Sequence, residues 1–157
     1  MVRNREVWKH KWAHMAGYMF YEGLLIILLT NSGLTSGNSC GGTYNGVGGN
    51  ITSPNYPSDY DNHHECEWTI TVPDNHLVVI RFDDFELETQ SSCSYDYLAI
   101  DLEGDGVDNQ DIRFCGTGAY PLVSEGSTVN LEFDTDFSIT ERGFDIAWTA
   151  VANGIGS

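Results

Sequence analysis

Basic residues are scarce over most of this chain. After Cys40 only Arg81, Arg113 and Arg142 are basic, whereas 21 of the 23 acidic residues lie in that part. A body with so much negative charge repels the phosphate backbone of nucleic acids. We therefore expect no nucleic-acid partner, and cations or basic protein surfaces are favoured instead.

Long apolar runs are missing too. The longest apolar stretch, Gly23–Leu29, is far shorter than the roughly 20 residues that a membrane-spanning helix needs. Cysteines with the Cys-x2-Cys spacing are absent, which leaves structural zinc without support. No Ser/His/Asp or Cys/His arrangement with a recognisable local motif occurs either. We expect no membrane insertion of the mature domain and no catalytic residues, so the chain is not expected to be an enzyme.

The N-terminal segment has the order of a secretory signal. Basic residues up to Lys11 precede the apolar stretch Gly23–Leu29, and small polar residues follow. The pattern predicts that residues 1–37 are a signal peptide or N-terminal targeting segment, removed from a secreted, extracellular protein. Glu22 interrupts the apolar part, so initiation at Met15 and an uncleaved anchor stay open as alternatives.

Four cysteines follow, and they are Cys40, Cys66, Cys93 and Cys115. An even number in an exported chain indicates disulfides, and the sequence alone permits three pairings. The sequon Asn50-Ile51-Thr52 lies between the first two cysteines and predicts glycosylation of Asn50. Export, the even count and the sequon agree with one another, and they argue against free thiols in a cytosolic protein.

Beyond Cys40 the apolar pattern is that of β-strands. Short runs rich in β-branched and aromatic residues are separated by turn sequences such as Pro73-Asp74-Asn75. These runs are Thr69–Val72, Leu77–Phe82, Tyr97–Ile100, Thr128–Phe133 and Phe144–Trp148. Many short strands with frequent turns indicate an all-β, antiparallel sandwich of two facing sheets. We expect one domain over residues 40–152, followed by a tail of residues 153–157.

Seven segments spread over the cysteine-bearing region carry a family resemblance. They are Cys40-Gly41-Gly42, Gly49–Tyr60, Cys66–Ile70, Phe85–Tyr97, Phe114-Cys115-Gly116, Phe133–Ser138 and Gly143-Phe144. In order and spacing these segments resemble the CUB domain, a secreted β-sandwich module. The resemblance implies a jelly-roll-like sandwich held by two sequentially paired disulfides, Cys40–Cys66 and Cys93–Cys115.

The resemblance also implies a calcium site. In calcium-binding CUB domains, the positions that match Glu88, Asp96 and Asp136 converge at one end of the sandwich, and the position of Ser138 can add an oxygen. Calcium takes six to eight hard oxygen ligands, so carboxylates that other forces hold together suit it. Ile139 stands where some calcium-binding relatives have Asn, so backbone oxygen or water would have to fill that place.

The function that the resemblance implies is calcium-dependent binding of an extracellular protein. In this hypothesis calcium orders the acidic loops, and Tyr60, Glu88, Asp96 and Asp136 capture an exposed Lys or Arg of the partner. The tyrosine that matches Tyr60 lies beside the metal in this family. The alternative is a spermadhesin-like secreted protein that binds carbohydrate, in which exposed aromatic rings stack on the sugar, so glycans are the second class of partner.

Two further patterns resemble metal motifs. The segment that begins at Asp101 starts like an EF-hand loop, but Ile112 stands at the twelfth place, which needs a bidentate glutamate. We therefore expect a solvated acidic loop as far as Asp111. His63 and His64 are neighbours whose side chains point apart on an extended chain, and both are expected in an exposed loop rather than on a metal.

Overall fold

A computed structural model of the chain describes residues 40–108 and 110–154, and the backbone of two short strands nearer the N-terminus. The chain divides into two units, Met1–Gly37 and Asn38–Ser157. In the first unit β1 (Met19–Tyr21) pairs antiparallel with β2 (Leu24–Ile26). The rest of the predicted signal segment and the end of the predicted tail lie outside the described residues. Within the described part, no helix is long and apolar enough to cross a membrane.

The second unit is built from strands that form two sheets. Their bounds are β3 (Gly42–Asn45), β4 (Gly48–Thr52), β5 (Glu65–Thr71), β6 (His76–Glu86), β7 (Tyr97–Asp101), β8 (Ile112–Phe114), β9 (Leu122–Val123), β10 (Thr128–Asp134) and β11 (Gly143–Ala152). One sheet has the order β3-β5-β10-β7-β8, and the other has the order β4-β11-β6-β9. The predicted all-β architecture of two sheets is therefore confirmed.

One strand pair departs from the antiparallel pattern. β3 runs parallel to β5, with Gly42 opposite Trp68, whereas the other neighbours within the two sheets are antiparallel. The Cys40–Cys66 disulfide joins the segment just before β3 to the second residue of β5 and holds the start of β3 against β5. The second disulfide joins Cys93 to Cys115. Both bridges match the pairing that the resemblance implied, and each contributes roughly 3 kcal/mol on the chain-entropy model.

The core lies between the two sheets, because side chains on a strand alternate between its two faces. On β10, Val129, Leu131 and Phe133 are buried, and on β11, Phe144 and Trp148 are buried. The rings of Phe133 and Phe144 meet edge to face with their centroids 5.3 Å apart. Full burial of a large apolar side chain stabilises a fold by roughly 1.5–3 kcal/mol. This packing anchors the end of β10 and the start of β11, between which one of the site loops runs.

The strands that the polarity pattern did not indicate are short or rich in glycine. They are β3, β4, β8 and β9. Glycine is depleted in strands because it has no side chain to pack. In β4, however, Gly49 suits the packing, because a Cβ there would lie 3.0 Å from ring atoms of Trp148, closer than ordinary contact. The glycine that obscured this strand in the sequence is the residue that lets the tryptophan ring pack against it.

Candidate metal centre

Three carboxylates meet at one end of the second unit. One oxygen atom from each of Glu88, Asp96 and Asp136 lies within 4.8 Å of the other two. Glu88 follows β6, Asp96 directly precedes β7, and Asp136 follows β10. Asp134 is paired with Tyr97 in the antiparallel ladder, so the end of β10 and the start of β7 lie side by side. That register brings Asp136 and Asp96 together.

The loop that carries Glu88 is tied to the segment around Gly116. The N–H of Leu87 donates to the carbonyl oxygen of Gly116 at 2.9 Å, and the N–H of Gly116 donates to the carbonyl oxygen of Glu88 at 3.2 Å. The Cys93–Cys115 disulfide joins the same two segments of the chain. Hydrogen bonds and a disulfide therefore hold Glu88, which extends from one sheet, beside acids that extend from the other.

Tyr60 connects two of the carboxylate loops. Its hydroxyl donates to Asp96 Oδ2 at 2.6 Å and accepts from the N–H of Glu88 at 3.1 Å. Burial and the hydrogen bond to Asp96 raise the pKa of Tyr60 well above its ordinary value, so the hydroxyl stays protonated and donating. The predicted direct contact of Tyr60 with a partner does not fit its burial, because only 1% of the residue is exposed. Tyr60 positions Asp96 and Glu88 instead.

A close approach of two backbone segments places Tyr60 in the site. Gly143 has a φ of 87°, and a Cβ on it would come within 1.9 Å of Ser53 Oγ, so only glycine fits. Ser53 Oγ accepts from the N–H of Phe144 at 3.0 Å. The N–H of Tyr60 donates to the carbonyl oxygen of Glu141 at 3.0 Å. The segment that carries Tyr60 is thereby held against the start of β11.

Asp96 is fully buried, with 0% of the residue exposed. Its Oδ1 accepts from the N–H of Asp136 at 2.8 Å, and its Oδ2 accepts from Tyr60. Burial raises the pKa of Asp96, the two hydrogen bonds oppose that rise, and the charge of Asp136 adds to it. The net direction is upward, so the donors of the protein do not fully compensate the buried negative charge.

Glu88 has a buried oxygen without a partner. The residue is 7% exposed, and within the described part of the chain its Oε2 has no hydrogen-bond donor. Burial raises the pKa of Glu88, and the negative charges of Asp96, Asp136 and Glu141 raise it further. A buried carboxylate oxygen without a donor is costly. A cation beside this oxygen would remove the cost.

The donor set fits calcium. Three carboxylates provide hard oxygens, and Ser138 lies beside them, with its N–H donating to Asp136 Oδ1 at 2.7 Å and its Oγ 3.5 Å from the same atom. Calcium accepts six to eight oxygens in a flexible geometry and takes backbone carbonyls and water among them. Ile139 offers no side-chain oxygen, so the remaining places fall to such ligands. The unpartnered Oε2 of Glu88 is the observation that favours a cation here.

Besides its bond to Asp96, the loop of Asp136 is held by hydrogen bonds with the segment of His63 and His64. The sequence did not predict these contacts. The N–H of His63 donates to the carbonyl oxygen of Asp136 at 2.9 Å. The N–H of His64 donates to Thr135 Oγ1 at 2.8 Å, and the N–H of Thr135 donates to the carbonyl oxygen of His64 at 3.0 Å. These contacts extend the ladder between β5 and β10 into the two loops, so Asp136 has little freedom to move away.

The exposed-loop prediction fits His63 and is wrong for His64. His64 is 3% exposed and stacks on Phe133 with ring centroids 6.4 Å apart. Burial lowers the pKa of His64, and the charge of Asp61 opposes that change. His64 continues the alternation of buried residues that starts in β5, which is the signal that would have found it. Its ring also lies close to the sulfurs of Cys40 and Cys66, which are bonded to each other rather than available to a metal.

The EF-hand-like segment forms a second acidic group, but the carboxylate of its buried member already accepts hydrogen bonds from the protein. Asp101 is 0% exposed, so the expectation of a solvated loop is wrong for this residue. Its carboxylate accepts from the N–H groups of Glu103, Gly104 and Gly106 and from Asn130 Nδ2, at 2.7–2.9 Å. Burial alone would raise the pKa of Asp101, but these hydrogen bonds lower it below its ordinary value. Asp101 therefore organises the turn.

The glycosylation candidate Asn50 is exposed on β4, an edge strand of its sheet. Its Nδ2 donates to Asp145 Oδ1 on the neighbouring strand at 3.3 Å, the long end of the range for such a bond. Exposure on an edge strand is compatible with a glycan, and the modification itself stays a prediction.

The comparisons with known proteins agree with one another. The family model of the CUB domain matches residues 40–148. Blastula protease 10 of Paracentrotus lividus is 41% identical over 116 residues, which are 72% of this chain and 19% of that protein. The structure of the full extracellular region of zebrafish Gpr126/Adgrg6 is 36% identical with a TM-score of 0.66, and the match covers 73% of this chain and 15% of that one. The crystal structure of the MASP-1 CUB2 domain bound to Ca2+ is 30% identical with a TM-score of 0.61, and the match covers 70% of this chain and 98% of that one.

The matched part is a small share of the larger relatives. The chain spans 19% of the length of Blastula protease 10, so the proteolysis in that name belongs to a larger protein and does not come to this chain with the likeness. CUB domains occur in extracellular proteins and mediate protein interactions, and one solved neighbour is an extracellular region. The family model covers most of the chain, and the two sheets and two disulfides agree with it. The chain belongs to the CUB domain family.

Proposed function

We propose that this chain is a secreted CUB module that binds one calcium ion through Glu88, Asp96, Asp136 and Ser138 and uses the ordered site to bind an extracellular protein. The supporting observation is the buried, unpartnered Oε2 of Glu88 beside two further carboxylates. A calcium ion supplies the positive charge that these oxygens lack. The family likeness includes a CUB domain described as bound to Ca2+.

The residues around the ion have separate tasks in this proposal. Asp96, held by Tyr60 and by the N–H of Asp136, is fixed in place before calcium arrives. Glu88 and Asp136 come from different sheets, so an ion between them links the two loops. Because the protein holds the carboxylates together against their repulsion, calcium binding relieves a cost that the folded chain already carries.

The partner is proposed to present a Lys or Arg side chain. Three carboxylates carry one more negative charge than a calcium ion neutralises, which leaves the site acidic. The arginines of the described residues are engaged elsewhere: Arg81 pairs with Asp83, Arg142 pairs with Asp84 and Glu86, and Arg113 lies over the ring of Tyr97. The residual charge is thus left for a cation from another molecule.

The extracellular setting belongs to the same proposal. Residues 1–37 would be removed on secretion, the mature module would comprise residues 40–152 and the tail 153–157, and Asn50 would carry a glycan. Extracellular modules bind calcium with dissociation constants on the order of 10⁻⁴–10⁻³ M, so such a site is filled outside the cell and empty in the cytosol. The proposed role is binding, and no catalytic residue is assigned.

The test measures binding of a short lysine peptide at saturating calcium and with a chelator. The peptide Gly-Ala-Lys-Ala-Gly, with both termini blocked so that lysine is its only charge, should perturb the nuclear magnetic resonance signals of the site loops only with calcium. The equally blocked peptide Gly-Ala-Gln-Ala-Gly should not perturb them. Asp96→Ala and the chelator should each abolish the effect, and together they should be no worse than either alone. The matched variant Glu103→Ala, in an exposed acid of the other acidic group, should bind like the parent.

The calcium dependence separates this proposal from general attraction between a basic peptide and an acidic protein. Calcium reduces the negative charge of the protein, so unspecific attraction weakens when calcium is added. Specific binding of the lysine side chain at the site, by contrast, becomes tighter when calcium is added. Equal or tighter binding of the lysine peptide in the chelator would contradict the proposed mechanism.

A carbohydrate ligand is the second candidate. Its support is the exposure of aromatic rings, with Tyr95 48%, Tyr120 55% and Phe137 75% exposed. Aromatic faces stack on the apolar faces of sugars, whereas buried rings serve packing. A glycan array probed with and without calcium separates the two candidates, since a glycan bound equally in both conditions would support the second and count against the first.

A further inference from the structure

Large apolar side chains are exposed next to the acids of the proposed site. Phe137 is 75% exposed and directly follows Asp136, and Ile139 is 59% exposed two positions further on. Tyr95, 48% exposed, directly precedes Asp96. The N–H of Asp136 donates to Asp96 Oδ1, so Tyr95 and Phe137 are each next in sequence to one of two acids that lie in contact.

The exposure of these residues does not follow from a loose loop. Asn62 Nδ2 donates to the carbonyl oxygen of Phe137 at 3.2 Å, and the N–H of Ser138 donates to Asp136 Oδ1 at 2.7 Å. The N–H of His63 donates to the carbonyl oxygen of Asp136 at 2.9 Å. The segment Asn62–His63 on one side and Asp96 on the other therefore hold the loop, and it presents its apolar side chains to solvent in a defined place.

Ile139 is an unfavourable residue for its backbone. Its φ is 55°, in the left-handed region. A β-branched side chain is strained there, whereas glycine and asparagine adopt this conformation readily. An exposed isoleucine also leaves apolar surface in water. In the isolated domain this side chain gains nothing from its position, but contact with an apolar group of a partner would remove its surface from water.

The negative charge of the domain surface limits the kind of partner that can bind beside the site. The part of the chain after Cys40 is strongly acidic, which repels the anionic surface of a phospholipid membrane. A second copy of the described part of the chain has its arginines engaged with its own residues and so offers no free cation. A peptide segment of another protein, with one cationic side chain between apolar ones, complements both the acids and the apolar rim.

We propose that Phe137 and Ile139, with Tyr95 beside them, form the apolar half of the partner site, and that the partner segment carries a Lys or Arg flanked by apolar side chains. This inference rests on the proposed function, because the acids and calcium supply the other half. The acids select the cation, and the apolar rim selects its neighbours in the partner sequence.

The experiment compares three peptides at saturating calcium by titration calorimetry. They are Gly-Leu-Lys-Leu-Gly, Gly-Ala-Lys-Ala-Gly and Gly-Leu-Gln-Leu-Gly. The leucine-flanked lysine peptide should bind about tenfold more tightly than the alanine-flanked one, because apolar surface is removed from water on both sides. All three peptides are acetylated at the N-terminus and amidated at the C-terminus, so the glutamine peptide carries no cation and should bind more weakly than either lysine peptide.

Variants of the rim assign the effect to its residues. The double variant Phe137→Ser, Ile139→Gly should bind both lysine peptides equally, while its calcium affinity stays that of the parent. Glycine suits the φ of position 139, so the substitution should not unfold the loop. The matched control is Val47→Ser: Val47 is 68% exposed and lies beside the opposite end of β11, where the N–H of Ala150 donates to its carbonyl oxygen, so the tenfold preference should persist.

Each outcome counts for or against a stated claim. A parent that binds calcium but shows no preference for the leucine-flanked peptide overturns this inference and leaves the calcium site intact, as does a preference that survives in the double variant. A parent that binds no calcium overturns both. Calcium-dependent binding to phosphatidylserine vesicles that is lost in the double variant would assign the rim to a membrane and overturn the peptide partner.

Discussion

Two groups of three acids lie among the described residues of this domain, and in each group one oxygen per residue is within 4.8 Å of the others. The site group is Glu88, Asp96 and Asp136, and the turn group is Asp101, Glu103 and Asp111. In the turn group the buried carboxylate accepts four hydrogen bonds, and its pKa is lowered. In the site group a buried oxygen of Glu88 has no donor among the described residues, and the pKa values of Glu88 and Asp96 are raised.

The difference shows that the number of acids in a cluster does not identify a cation site. A carboxylate that backbone N–H groups and an amide already satisfy is part of the fold, and an ion would have to displace those donors. A buried carboxylate with an unpartnered oxygen carries a cost that a cation or a proton can relieve. We therefore expect the two groups to respond in opposite ways to mutation, to calcium and to pH.

The largest expected effect is loss of stability on Asp101→Ala. The substitution leaves three backbone N–H groups and Asn130 Nδ2 without their acceptor, so the free energy of unfolding should fall by about 3 kcal/mol. Urea denaturation measures the change. The matched substitution in the exposed member of the turn group, Glu103→Ala, should change stability little. A loss no larger in Asp101→Ala than in Glu103→Ala would contradict the structural role of Asp101.

The next effect concerns calcium and Glu88→Gln. In the parent, calcium at about ten times its dissociation constant should add roughly 1.4 kcal/mol to stability, because the ion binds only the folded state. In Glu88→Gln the melting temperature should no longer rise with calcium, since a ligand charge is gone. Without calcium this variant should be at least as stable as the parent, because the unpartnered anionic oxygen is removed. A marked loss of stability in calcium-free buffer would show that Glu88 supports the fold rather than an ion.

The pH dependence of stability should separate the groups in calcium-free solution. The pKa of Asp101 is lowered in the folded state, so its contribution is present above about pH 4 and is lost as the pH falls through the folded value. The pKa values of Glu88 and Asp96 are raised, so their contribution is present below about pH 4 and is lost as the pH rises through the folded values.

Melting curves of two isosteric variants between acidic and neutral pH test these signs. Asp101→Asn should be less stable than the parent at neutral pH, and Glu88→Gln should be equally or more stable. Both differences should close as the solution becomes acidic. The same sign of change for the two variants at neutral pH would contradict the contrast between the groups.

The smallest effect comes from acids that belong to neither group. Glu67 on β5 is directly opposite Glu132 on β10, on the outer face of the sheet, and Glu65 is opposite Asp134. Like charges in this position are destabilising, so Glu67→Lys should stabilise the fold by about 0.5 kcal/mol, and less at high salt. Thermal melting at two salt concentrations checks this. No gain at low salt would mean that water already screens these exposed charges.

Much of the fold was accessible from the sequence, because it depends on local patterns. Four of the five predicted runs lie within observed strands, and the fifth, Thr69–Val72, extends one residue beyond the end of β5. β4 was not predicted, because Gly49, which accommodates the ring of Trp148, is a residue type that is uncommon in strands. The burial of His64 was missed because the alternation of β5 was not extended back to this residue, which hydrogen bonds with Thr135 hold in place.

The difference between the two acidic groups is harder to predict from the sequence. Whether a carboxylate has hydrogen-bond donors depends on how the backbone folds around it. The pattern of acids at alternate positions from Asp101 is equally compatible with a metal loop and with a turn. Glycines follow at positions 104 and 106, both with positive φ, and they allow the backbone to direct its N–H groups at Asp101. That glycine spacing is the sequence signal for the turn. The unpartnered Oε2 of Glu88 has no such signal.

Calorimetric titration with calcium tests the site group most directly, using the parent, Asp96→Asn and Glu103→Gln. We expect one calcium ion per chain in the parent, with a dissociation constant on the order of 10⁻⁴–10⁻³ M. Glu103→Gln should bind calcium as the parent does, and Asp96→Asn, which keeps the size of the side chain, should lose at least about tenfold in affinity because a ligand charge is removed. Equal affinity in the parent and Asp96→Asn, or a loss confined to Glu103→Gln, would contradict the assignment.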